Sequence, residues 1–191
     1  PGDSDERGAE AVVSLSDSEE VSVTATDVEI DGLAFEFAEV AIYSESGSSD
    51  SLYTNNRFEM PDGESSDGYA IRIEGDTTGT DVTDNLFTDI ESTDGLDGDN
   101  VNGVVVRDPN ETTISGNTFD SVDTAVNVGN NGPTAGELVV TNNEFTDISQ
   151  FGAVALNNPG SELNVDVQDN EINASRVGIA VYAGNSAATF S

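Results

Sequence analysis

Hydrophobic and polar residues alternate in short runs along this chain. Five runs share one register: Ser51-Leu52-Tyr53-Thr54, Thr80-Asp81-Val82-Thr83, Thr112-Thr113-Ile114-Ser115, Leu138-Val139-Val140-Thr141 and Val165-Asp166-Val167-Gln168. Period two predicts strands, with Tyr53, Val82, Ile114, Val140 and Val167 facing inward and Thr54, Thr83, Ser115, Thr141 and Gln168 outward. A second set follows further on: Ala70-Ile71-Arg72-Ile73, Val104-Val105-Val106, Ala125-Val126-Asn127-Val128, Ala153-Val154-Ala155-Leu156 and Ile179-Ala180-Val181.

Between the two sets lies a repeated Asn, any residue, then Phe or Ile. The copies are Asn56-Arg57-Phe58, Asn85-Leu86-Phe87, Asn117-Thr118-Phe119, Asn143-Glu144-Phe145 and Asn170-Glu171-Ile172, at steps of 29, 32, 26 and 27 residues. Each is preceded by a residue suited to positive φ: Asn55, Asp84, Gly116, Asn142 or Asp169. Each unit therefore reads strand, tight bend, strand. Two short strands with one apolar side cannot form a core alone, so the units must stack. At the usual strand spacing of about 4.8 Å, stacking places Phe above Phe and lets the Asn amides bond along a ladder.

This pattern resembles the right-handed parallel β-helix repeat family, of the pectate-lyase-like solenoid type, whose coils read strand, x-N-x-F, spacer, G-I-x-V. The resemblance implies an all-β fold, a right-handed parallel β-helix of about five to six coils. Residues 21–191 are expected to form one such domain, with a degenerate first coil over 21–50 that buries Val21, Val23, Leu33 and Phe35, and regular coils over 51–182. Residues 1–20 are expected to be an acidic leader. Repeated ends suggest end-to-end stacking into a homo-oligomer or filament.

Charge changes the picture of the solvent. There are 38 Asp and Glu against 5 basic residues, all arginine, and the net charge is −33. Molar salt screens such self-repulsion, and the balance resembles that of proteins from halophilic archaea and their viruses. The same charge makes nucleic acid and anionic membranes poor partners, and no nucleic acid is expected. No apolar run is long enough to span a bilayer. The chain starts with Pro rather than Met, which is read as removal of an upstream segment and an extracellular, cell-surface or virion location.

Absences narrow the chemistry. Without His, Cys or Lys, serine triads, most zinc sites, thiol catalysis and Schiff bases are out. The spacers 59–67 and 91–102 are the long ones, and their adjacent coils bring them side by side as a candidate binding surface: Asp62, Glu64, Asp67 and Tyr69, then Asp94, Asp97, Asp99 and Asn102. Asp94, Asp97 and Asp99 are oxygen ligands of the kind calcium takes, although solvated acidic loops are the commoner outcome at this composition. No other cofactor is expected.

For an enzyme, the resemblance implies a polysaccharide lyase or glycoside hydrolase. Glu74 and Arg107 align on neighbouring coils with Arg72 one outward step earlier, which marks them as catalytic candidates or, more simply, as a structural ion pair. Asp89, Asp120 and Asp147 form a series of solvated turn residues with no evident acid pair. Two acceptor sequons for N-glycosylation, Asn110-Glu111-Thr112 and Asn173-Ala174-Ser175, fit a surface glycoprotein. The favoured function is an extracellular structural or adhesive module that binds glycans or self-assembles.

Overall fold

The computed structural model describes residues 10–61, 67–92, 100–129, 135–157, 162–173, 175–182 and 189–190. Every pairing between its strands is parallel, and each strand pairs with its counterpart one turn later. The chain winds into a parallel β-helix with three faces.

The first face stacks β3 (Glu29–Asp31), β6 (Leu52–Thr54), β9 (Asp81–Thr83), β12 (Thr112–Ser115), β14 (Ala135–Thr141), β16 (Glu162–Gln168) and β19 (Thr189–Phe190). The second stacks β1 (Ala11–Leu15), β4 (Leu33–Phe37), β7 (Arg57–Glu59), β10 (Leu86–Ile90), the first halves of β13 (Thr118–Val128) and β15 (Glu144–Asn157), and β17 (Glu171–Asn173). The third stacks β2 (Val21–Val23), β5 (Val40–Ser44), β8 (Asp67–Ile73), β11 (Asn100–Val106), the second halves of β13 and β15, and β18 (Ile179–Tyr182). Among the described residues six coils carry strands on all three faces, from β3 through β18.

Two expectations are corrected. The Asn-x-Phe segment is itself a strand, so a coil has three strands rather than two. A three-residue strand with one inward Phe offers no alternation to read. The helix also begins within the expected leader, because Ala11–Leu15 pairs with Leu33–Phe37 over its whole length. Three of those five positions are exposed, which hid the strand in an acidic stretch.

The bend between the first two faces is built locally. Asn55, Asp84, Asn142 and Asp169 have φ between 52° and 55°, and Gly116 has φ 68°. Gly116 is also confined, since a Cβ there would lie 2.5 Å from Asp84 Oδ1. The bend interrupts the strand ladder, and the next residue repairs it. Asn56, Asn85, Asn117 and Asn143 are buried, and each donates a side-chain N–H to the side-chain oxygen of the next coil's Asn. Asn117 Oδ1 accepts the Asn85 backbone N–H at 2.9 Å, while Asn117 Nδ2 donates to Val82 O at 2.8 Å. The same contacts run from Asn56 to Asn170, so backbone groups freed by the bend keep partners.

Inside, Phe35, Phe58, Phe87, Phe119 and Phe145 stack with centroids 4.4 to 5.1 Å apart and planes within 14°. The strand spacing imposes this separation. Ile172 takes the next place, 37% exposed. Small residues on the third face make room: a Cβ on Gly103 would meet Phe119 Cε1 at 2.8 Å. Of the expected inward residues, Val23 and Phe35 are buried, and Val21, Leu33 and Val167 pack half-buried against the core.

Candidate functional site

Two polar clusters stand on the outside of the coils. The first spans the third face. Parallel register sets Tyr43 of β5 beside Arg72 of β8, and Arg107 follows β11 with its N–H on Ile73 O. Arg72 Nε donates to Glu74 Oε1 at 2.6 Å, a second Arg72 nitrogen reaches the same oxygen, and Arg107 Nη1 lies 3.3 Å from it. The Arg72 guanidinium carbon sits 5.0 Å from the Tyr43 ring centre and 5.8 Å from that of Tyr69. Burial pushes the Tyr43 hydroxyl above its ordinary range, and the Glu74 charge adds to this. A lyase base must be free to take a proton, whereas Arg72 is committed to Glu74 and two rings. Arg72, Glu74 and Arg107 thus converge as a tie across coils.

The second cluster lies at the corner between the second and third faces, where β13 and β15 bend without a break. Asp123 is 4% exposed, in the middle of β13. Ser149 Oγ donates to its Oδ1 at 2.6 Å, while the Ser92 backbone N–H and Gln150 Nε2 donate to Oδ2 at 2.9 and 2.8 Å. Beside it an open groove of about 580 Å³ is lined by Glu91, Asp147, Ile148, Ser149, Ser175 and Arg176. The Glu91 carboxyl is raised above its ordinary value by desolvation first, then by the charges of Asp123, Asp89, Asp147 and Asp120.

Sequence reasoning missed this cluster. It assigned Asp89, Asp120 and Asp147 to solvated turns, yet their charges bear on Glu91. The available signal was Asp123 itself, a carboxylate between Val122 and the expected strand Ala125-Val126-Asn127-Val128. A raised carboxyl beside a second one is the pairing glycoside hydrolysis uses. Here both oxygens of Asp123 are occupied by donors from neighbouring coils, and Glu91 is exposed. The arrangement braces the corner.

The family model for a right handed beta helix region matches residues 12–191. The chain belongs to the right-handed β-helix family. No curated protein and no solved structure matches it.

Within this β-helix the remaining candidates separate. Asp62, Glu64, Asp94, Asp97 and Asp99 lie outside the described residues, as does the side chain of Asp67. Among the described residues no group of three or more acidic or other ligating side chains gathers as a metal site. Asn102 is not a loop ligand: it belongs to β11, is buried, and accepts from Asn127 Nδ2 at 2.9 Å. Asn127 in turn accepts from Asn157 Nδ2 at 2.8 Å. Tyr69 is half-buried in β8, whereas Tyr182 is 45% exposed. Asn110 is exposed in the turn before β12, and Asn173 is exposed at the end of β17. No helix among the described residues is long and apolar enough to cross a membrane.

Proposed function

We propose that this β-helix is a non-catalytic extracellular module, a rigid segment of a cell-surface or virion protein that works at high salt and presents its flank to glycans. One observation carries the reading: the polar groups that could do chemistry are spent on holding coil to coil. Glu74 ties two arginines, Asp123 accepts three bonds, and the Asn amides serve the ladder. The surface charge supports a high-salt setting, since −33 opposes compaction wherever it is not screened.

Circular dichroism with size-exclusion light scattering, from low to saturating KCl, tests this reading. The expected result is a β-signal and a defined mass that develop with salt, with the mass also reporting any end-to-end stacking. A chain equally folded without salt would remove the halophilic part.

The groove beside Glu91 sustains one rival, a glycoside hydrolase or polysaccharide lyase. Reducing-sugar release and unsaturated-sugar absorbance on a panel of acidic and neutral polysaccharides at molar salt decide it. Turnover that disappears in Glu91→Gln would replace the structural reading.

A further inference from the structure

The two sequons occupy different structural situations. Asn110 is exposed in the turn that joins β11 to β12, a turn shaped by φ of 51° at Asp108 and 54° at Glu111. Its Nδ2 donates to Thr78 Oγ1 at 3.0 Å, an exposed contact that uses one of two amide hydrogens. The acceptor rule demands a hydroxyl two residues later. That hydroxyl is Thr112, 1% exposed, with Oγ1 buried and lacking a hydrogen-bond partner. β12 lies between β9 and β14, and Thr112 itself pairs with Leu138 of β14. In the second sequon, Asn173 is exposed and Ser175 is half-buried at the groove, its Oγ directed to Asn173 O at 3.5 Å.

We infer that Asn110 is an N-glycan acceptor that is modified before its coil closes, while the hydroxyl of Thr112 is still accessible. The inference rests on the extracellular reading. In the transfer, Asn110 Nδ2 forms a bond to the anomeric carbon of an oligosaccharide. The bond from that carbon to the phosphate of a lipid-linked donor breaks, and the amide gives up one proton. The remaining N–H is enough to keep the contact with Thr78, so the finished coil accommodates the glycan. Export and glycosylation therefore precede stacking of β14 on β12.

The test uses the full chain fused to an export signal in a halophilic host that N-glycosylates, read by intact mass and peptide mapping. Glycan is expected at Asn110, lost in Asn110→Gln and Thr112→Val, and kept in Thr112→Ser, which retains the hydroxyl. The second readout offers membranes of that host the folded chain and a full-length chain held unfolded by Phe87→Ala with Phe119→Ala. Only the unfolded chain should be modified at Asn110. A bare Asn110 on exported protein overturns the site, and equal modification of folded protein overturns the order. Retention of the unfused chain inside its own cell would instead count against the extracellular reading.

Discussion

At the scale of single residues, the Asn ladder and the corner acids make opposite predictions. Asn117→Leu keeps the γ-branched shape but leaves the Asn85 N–H and the Val82 carbonyl without the partners they have now. An orphaned buried group costs about 1–3 kcal/mol each, so this change should lower stability severely in urea melts at fixed molar salt. Asn170→Leu, half-buried near the end of the ladder, should cost clearly less. Equal losses would show that the ladder is passive. Glu91 works the other way. Its folded carboxyl is raised above the ordinary 4.5, so the native state holds its proton more tightly than the unfolded chain does. Stability then falls as pH rises from the unfolded value through the folded one, and the deficit persists above it. Glu91→Gln should raise the melting midpoint at neutral pH and lose that advantage as pH drops below the ordinary carboxylate range. A gain independent of pH would mean that neither desolvation nor the neighbouring charges of Asp123, Asp89, Asp147 and Asp120 are its cause.

At the scale of elements, the strands of the first face were legible because their information is local. The alternation around Tyr53, Val82, Ile114 and Val140 and the positive-φ residue after each run need only a few neighbours to be read. The corner inside β13 and β15 was not legible, because strands of 11 and 14 residues pass through it. Its partners come from Ser92, Ser149 and Gln150, up to 58 residues apart, which no local pattern brings together. The two ties should differ in strength. Asp123→Ala orphans the part-buried Ser92 N–H and leaves the Gln150 amide only its 3.4 Å contact with Ser92 Oγ, and should cost roughly 2–4 kcal/mol. Glu74→Gln weakens partly exposed contacts that salt already screens, and should cost less than about 1 kcal/mol at molar salt. Paired urea melts of the two variants read the difference. A Glu74 variant as damaging as the Asp123 one would mean that the third-face cluster, rather than the corner, sets the register of the coils.

At the scale of the whole molecule, stacking turns a local rule into a global liability. A residue that faces outward in one coil has its counterpart one strand spacing away in the next, so acids fall into rows. Glu144 pairs in register with Glu171, and Glu36 with Glu59. Arg57 offsets the second pair by its ion pair with Glu59, and the first stands on an exposed edge. At 0.1 M salt the screening length of about 10 Å exceeds the strand spacing of about 4.8 Å, and neighbours in a row repel. At 1 M the length is about 3 Å, shorter than the spacing, and the rows fall silent. Relief of one repulsion should therefore matter only where salt is low. Glu171→Gln is expected to move the salt concentration at which the β-signal appears downward, while leaving the urea midpoint at molar salt unchanged. Glu59→Gln, which leaves Arg57 without its partner, should not produce the same downward shift. If Glu171→Gln stabilises equally at every salt concentration, the gain comes from local strand preference rather than charge, and the dependence on salt must be sought in hydration of the acidic surface.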